Sequence, residues 1–238
     1  MGARRSGAKR ERTEGPPSRR LGARAPGWRL AVAAAGDPER RRLEGFIHQT
    51  FAASYGARVT HFMPLILAIV DGDGAPRATV GVRPAATGRL FLERYLDRPA
   101  EREIGRAAGA PVARRDIVEL GNLATRHPGM TRHLIVLTTG LLDDAGFEWV
   151  AFTANARVRN SFARLRIPLL GLAPADPARL GAERSRWGCY YDDAPAVLAG
   201  RIRDGVRRLS PGDALAALAP SRHGVECLAD RSTGCEPA

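Results

Sequence analysis

The sequence predicts a mixed α/β (α+β) fold, a central sheet with helices on both faces, and three observations carry that prediction. Residues 62–70 form a continuous apolar run, followed by the turn sequence Asp71-Gly72-Asp73-Gly74 and a second strand at residues 77–83, which together read as a hairpin. Residues 117–124 read as a short apolar strand, followed by a loop with Pro128 and Gly129 and then a helix over residues 131–145. A further strand at residues 148–153 completes a crossover unit. A hairpin early and a crossover late call for antiparallel and parallel pairing in one sheet.

The remaining elements follow in chain order. Residues 28–35 suit a strand. Asp37-Pro38 looks like an N-cap with proline at the first helical position, and Leu43, Phe46, Ile47, Thr50, Phe51 and Ser54 then recur at helical spacing until Gly56. Residues 90–96 and 101–108 read as short helical pieces before the 117–124 strand. Asn155 caps a helix over residues 156–165, with Val158, Phe162 and Leu165 as its buried stripe and Arg157, Asn160 and Arg164 on another face. Strands are expected at residues 169–172 and 187–191, and helices at 196–209 and 213–219. One domain over residues 28–209 is expected, preceded by a disordered basic arm (1–27) and followed by a tail (210–238).

Composition narrows the functional classes. The chain has 238 residues, 44% of them hydrophobic, enough for one substantial core. No apolar run approaches the ~20 residues of a membrane-spanning helix, and no secretory signal pattern is read, so a cytoplasmic location is expected. The formal charge is +12, and residues 1–42 hold twelve Arg or Lys against four Asp or Glu. That arm suits an anionic membrane surface, whereas the 6% aromatic content and the lack of a motif give no support to specific nucleic-acid binding. The cysteines, Cys189, Cys227 and Cys235, are odd in number and form no Cys-x-x-Cys pair, so neither a disulfide framework nor a zinc site is expected, and Cys189 is read as a core residue of the 187–191 strand.

The chemistry centres on residues 116–142. A helix N-terminus presents unpaired backbone N–H groups and the positive end of its dipole, a combination suited to phosphate. Arg126 and Arg132 flank the loop and add charge-assisted contacts; an ordinary crossover with solvated arginines would use the same residues. In a regular strand Glu119 and Asn122 face opposite sides, but a bulge at Gly121 would bring both to one face and free backbone N–H groups.

Five blocks extend this reading: FLERYLDRPAE (91–101), IVELGNLAT (117–125), EWVAFTAN (148–155), VRNSFARLRIP (158–168) and WGCYYDDAPAVLAGRI (187–202). In that order they resemble the thermostable hemolysin family, over about residues 28–205. The family's name records membrane damage attributed to a bacterial founding member, and its fold is grouped with the GNAT-type acyltransferases, which use acyl-CoA or acyl-carrier-protein thioesters. The resemblance therefore implies a GNAT-like sheet with a pyrophosphate site after the central strand. The segment holding that site contains Leu123, Arg126, Gly129, Met130, Thr131 and Arg132. Arg126, Gly129 and Thr131 fall at the positions of the Gln/Arg-x-x-Gly-x-Gly/Ala pattern usual in GNAT-type enzymes, with Thr131 replacing its last small residue. The 117–125 strand is also similar to the Glu-Leu-Ser-Arg strand of acyl-homoserine lactone synthases, with Glu119 at the corresponding acid.

The roles implied are these. Glu119 is the base or orients the acceptor amine, and Asn122 lies beside it. Tyr190 or Tyr191 is the acid, strand alternation allowing only one to face the cleft. Asn155, Arg157 and Asn160 contact the pantetheine or diphosphate arm. The expected function is acyl transfer from acyl-CoA or acyl-carrier protein to an amine or hydroxyl of a small-molecule acceptor, with no metal. Direct membrane damage and a catalytically degenerate fold used only for binding are the competing classes.

Overall fold

The computed structural model describes residues 27–127 and 129–209; apart from Gly27, the arm and tail assigned above, and the 213–219 helix, lie outside the described residues. The chain begins with β1 (Arg29–Ala33) and α1 (Arg40–Tyr55), then the hairpin of β2 (Leu65–Val70) and β3 (Pro76–Pro84). A 3-10 turn at Leu92–Arg94 leads to α2 (Ala100–Ala108) and β4 (Ile117–Thr125), and α3 (Met130–Asp144) crosses to β5 (Trp149–Ala154). The chain continues through α4 (Ala156–Arg164), β6 (Leu170–Pro174), 3-10 stretches at Pro177–Trp187 and Tyr190–Asp193, β7 (Ala196–Arg201) and α5 (Ile202–Arg208).

The seven strands form one sheet in the order β1-β2-β3-β4-β5-β7-β6. Only β4 and β5 run parallel, because α3 carries the chain across one face between them. α1 and α2 cover one face and α3, α4 and α5 the other. β2 shows why its apolar run is continuous: Leu65, Leu67 and Ile69 pack under α3, while Ile66, Ala68 and Val70 pack under α1. Each fully buried aliphatic side chain of this kind contributes roughly 1.5–3 kcal/mol. Gly56 ends α1 at φ 65°, a left-handed conformation that glycine adopts without a Cβ penalty. Asn155 caps α4 by accepting from the Val158 N–H, an interaction of about 1 kcal/mol.

A β-bulge lies in β4. Its pairing with β3 steps from Gly81↔Gly121 to Thr79↔Ala124, so Asn122 and Leu123 together oppose Val80, and Asn122 takes φ 48°. The bulge reverses the facing of the strand: Val118 and Leu123 pack toward α3, yet Ala124 packs under α1. Asn122 Oδ1 accepts from the Met63 N–H at 2.9 Å and its Nδ2 donates to the His61 carbonyl at 3.2 Å, which fixes the irregularity. The anticipated bulge is therefore present, centred one residue later than Gly121.

Several expectations are corrected. Residues 187–191 are not a strand. Gly188, at φ 52°, runs so close to the Tyr55 carbonyl that no Cβ fits, and the Cys189 N–H donates to that carbonyl at 2.9 Å. The segment turns over the end of α1, leaving Cys189 exposed rather than in the core. Residues 196–201 are β7, not the start of a helix, because they pair with β5 on one side and β6 on the other; pairing on both edges overrides the weak local preference of an Ala- and Gly-rich segment. Asp37 is not the N-cap of α1: its carboxylate accepts from the Ala34 N–H and the helix starts at Arg40.

Met63 lies across the paired glycines of β3 and β4. A Cβ on Gly81 would sit 2.6 Å from Met63 Cβ, whereas one on Gly121 would meet the mobile Met63 Cε at 2.5 Å. Gly81→Ala is expected to cost about 1–3 kcal/mol through overpacking that cannot relax, and Gly121→Ala less; urea unfolding of the two variants compares them directly.

Candidate active site

The pairing of β4 with β5 ends at Leu120↔Phe152, although β4 continues to Thr125 and β5 to Ala154. Beyond that point β5 is held by β7 alone, through Thr153 and Ala154. The facing edges of β4 and β5 therefore part, and neither has the other as a strand partner there. A cavity of about 190 Å³ occupies the parting. Its walls come from both faces of the sheet: Phe51, Tyr55, Met63 and Glu119 on the α1 side, Leu134, Ile135, Phe152 and Phe162 on the α3 and α4 side. An engineered apolar cavity of ~150 Å³ is enough to take benzene, so this one suits an aliphatic chain. Met63 lines the space without closing it.

Glu119 is buried, with 2% of its surface exposed. Its two carboxylate oxygens accept from the Phe91 and Leu92 N–H groups at 2.9 and 2.7 Å. The turn that supplies those donors is held by a second carboxylate. Glu93 accepts from the Leu90 and Ala100 N–H groups at 2.9 Å each, and from Arg114, which also pairs with Glu101. Burial pushes the Glu119 carboxyl up to about 7, against the downward pull of the two N–H groups and of Arg83. A carboxyl titrating near neutrality beside a cavity has the range of a general base.

The two tyrosines separate. Tyr190 lines the cavity and packs against Phe51, Tyr55 and Trp187. Tyr191 is turned aside and its hydroxyl meets that of Tyr95 at 2.5 Å. Only one of the pair reaches the cavity, as alternation would require, but a 3-10 turn is what separates them. Burial raises both phenols above the ordinary range, and the Tyr95 hydroxyl raises Tyr191 further. Both stay protonated at neutral pH.

The α3 segment is built less simply than its pattern implied. Gly129 is exposed at the helix start, with nothing within 4 Å of where a Cβ would stand. Met130 and Thr131 are buried, and the Thr131 hydroxyl lies 3.2 Å from that of Thr125. Arg126 leans onto α1, donating to Gln49 Oε1 at 2.9 Å and stacking over Phe46; Arg132 is exposed. Leu123, Thr131, Asn155 and Arg157 line the cavity. Asn160 is exposed on α4 and is not among the lining residues.

Residues passed over in the sequence also belong here. The Tyr55 hydroxyl accepts from Asn155 Nδ2 at 2.9 Å, so its own proton is free to point elsewhere. Arg83, Phe91 and Tyr95 contribute to the wall. Two lining side chains carry buried polar atoms without a partner among the described residues, Arg83 Nε and Thr138 Oγ1. Such atoms are costly unless something completes them, which fits a site meant to hold a ligand with polar groups. None of these residues had a sequence signal: Arg83 falls opposite Glu119 only through the register of β3 with β4, strands that are far apart in the chain.

The architecture, a mixed seven-stranded sheet with helices on both faces, is a GNAT-like fold. Solved structures with this architecture include TofI in an apo form, 13% identical, TM-score 0.53, covering 78% of this chain and 99% of that one. FeeM, an N-acyl amino acid synthase from uncultured soil microbes, is 14% identical with TM-score 0.53, covering 76% of this chain and 95% of its own. BjaI, a CoA-dependent acyl-homoserine lactone synthase solved with SAM and isopentyl-CoA, is 13% identical with TM-score 0.51, covering 87% and 90%. No curated protein matches the sequence. The thermostable hemolysin family profile matches residues 33–206, and the chain belongs to that family. Among the described residues, no helix is long and apolar enough to cross a membrane.

The Glu119 carboxyl titrates higher in the folded state than the ordinary value of 4.5. Its contribution to stability is therefore whole below that value and is lost as pH rises to about 7. Between about pH 5 and pH 8 the wild type should lose about 1–3 kcal/mol more than Glu119→Gln, read from urea midpoints at the two pH values.

Proposed function

We propose that this protein is an acyltransferase that moves an acyl group from acyl-CoA or acyl-carrier protein to the amine or hydroxyl of a small molecule, in the cytoplasm. The observation that carries the reading is the cavity through the parted sheet. It joins a buried carboxyl on one face to an apolar chamber on the other. A thioester lying in the gap would have its acyl chain among Leu134, Ile135, Phe152 and Phe162 and its carbonyl beside the bulge. The thioester supplies an activated carbonyl carbon. The acceptor nitrogen or oxygen bonds to that carbon, the C–S bond breaks, the acceptor loses a proton and the thiolate gains one.

We assign the diphosphate arm to the first turn of α3, from Gly129 to Arg132, where no acidic side chain opposes it. Asn155 and Arg157 form the opposite wall along the pantetheine arm. Glu119 takes the acceptor's proton, its remaining lone pairs facing the cavity while the Phe91 and Leu92 N–H groups hold it in place. The unpaired edge of β4 beyond Leu120 offers N–H groups to the developing oxyanion. Tyr190 and Tyr55 are lining phenols in reach of the departing thiolate, whereas the hydroxyl of Tyr95, also in the lining, is engaged with Tyr191. Asn122 serves indirectly, by holding the bulge.

A thermal-shift series with CoA, acyl-CoAs of increasing chain length and acyl-carrier protein tests the reading. A donor at about 100 times its Kd adds about 2.7 kcal/mol, a rise of roughly 5–10 °C, and longer acyl chains should shift more than CoA alone. No shift with any thioester overturns the proposal. Under turnover, kcat/KM for the acceptor should fall about tenfold per pH unit below about pH 7, as the Glu119 carboxyl becomes protonated. A flat profile across that range removes Glu119 as the base.

A further inference from the structure

Arg83 is the least explained charged residue of the cavity. It sits on β3 directly opposite Glu119 in the antiparallel register, so the two side chains leave the sheet side by side on one face. Among the described residues its guanidinium forms one hydrogen bond, from Nη1 to the Arg89 carbonyl at 3.1 Å. It has no ion pair among the described residues, and its Nε is buried without a partner. The arginines nearby are treated differently: Arg94 is tied to Glu183 at 2.9 Å and Arg114 is shared between Glu93 and Glu101. The lining near the mouth adds Arg58 and Arg186, while its other acid, Glu183, is already paired with Arg94. The acceptor side of the cavity is therefore rich in guanidinium groups, and Arg83, without an ion-pair contact among the described residues, stands beside the one lining carboxyl that is likewise without one, Glu119.

We infer that the acceptor is a carboxylate-bearing amine of the α-amino acid class, its amine directed to Glu119 and its carboxylate gripped by Arg83. This deepens the acyltransferase reading and rests on it. The geometry suits a molecule whose amine and carboxylate are separated by one carbon, because Glu119 and Arg83 start from backbone positions about 5 Å apart and converge on one space. The guanidinium N–H groups that the Arg89 carbonyl does not use can take a carboxylate through charge-assisted bonds. The reaction balances without another reagent: the amine nitrogen bonds to the acyl carbon, the C–S bond breaks, and the proton lost by the amine ends on the thiol. The product is an N-acyl amino acid that keeps its carboxylate.

The test uses the full chain with a medium-chain acyl-CoA that stabilises it, and follows release of free thiol. The acceptors are L-amino acids with apolar and aromatic side chains, each beside its decarboxylated amine and its methyl ester. Thiol release is expected with the amino acids and not with the amines or esters. Arg83→Met should raise the acceptor KM by about 10- to 100-fold, with Arg83→Lys recovering part of the loss. The thermal shift given by acyl-CoA should stay unchanged in both variants. If neither acyl-CoA nor acyl-carrier protein gives stabilisation or turnover, the acyltransferase reading itself fails. If acyl-CoA stabilises the protein but the decarboxylated amines react as well as the amino acids, or no amine reacts, the acceptor assignment is overturned and the acyltransferase reading survives. Should Arg83→Met fail to fold, the acceptor series on the wild type decides alone.

Discussion

Where β4 leaves β5 after Leu120, two neighbouring strands that begin as a hydrogen-bonded pair end with their edges apart. Unpaired backbone amides inside a protein are costly, so such a parting persists only where surrounding packing enforces it or a ligand completes it. Here the packing is identifiable. β4 is held to β3 on the side away from the gap, through the pairing that carries its bulge, and Asn122 bonds both the Met63 N–H and the His61 carbonyl. β5 is drawn the other way by full pairing with β7. The two halves of the sheet pull on opposite sides of one opening, and every candidate functional residue is placed relative to it.

The carboxylates illustrate how structural and chemical roles share the same atoms. Glu93 and Glu119 together hold the chain that precedes α2: Glu93 through Arg114 and two backbone N–H groups, Glu119 through the next two along the turn. Their titrations diverge because their partners differ. Burial pushes Glu93 up, but Arg114 and the N–H groups outweigh it and the carboxyl lies below its ordinary range. Glu119 has no cation in ion-pair contact among the described residues, so burial prevails and it reaches about 7. One carboxylate is a permanent anchor; the other keeps the capacity to change its protonation state.

The aromatic cover over α1 has a similar double character. Trp187, Tyr190 and Tyr191 pack on Phe51, Tyr55, Phe91 and Tyr95, an assembly that joins a segment late in the domain to the first helix. It is fastened by backbone as well, through the Cys189 N–H on the Tyr55 carbonyl and the Arg58 N–H on the Arg186 carbonyl. This cover encloses the Glu119 side of the cavity and brings the phenols of Tyr55 and Tyr190 to it.

Much of this was legible in the residues themselves. The apolar run before Asp71-Gly72-Asp73-Gly74, the Asn155 cap, the Gly56 terminus and the glycine inside the central strand carry their meaning locally, because periodicity, capping and left-handed turns act over a few residues. The sequence alone therefore determined the mixed sheet, the crossover after the central strand and the pairing of Glu119 with an irregularity near Gly121. What only the tertiary structure decided were features that depend on a distant partner. Residues 196–201 become a strand because two edges await them, and residues 187–191 turn because Tyr55 lies in their way. Arg126 folds back onto α1, Tyr191 is taken by Tyr95, and Arg83 comes to lie beside Glu119 through strand register. Local chemistry sets what a segment prefers; contacts made far along the chain set where its side chains meet, and a site is made of such meetings.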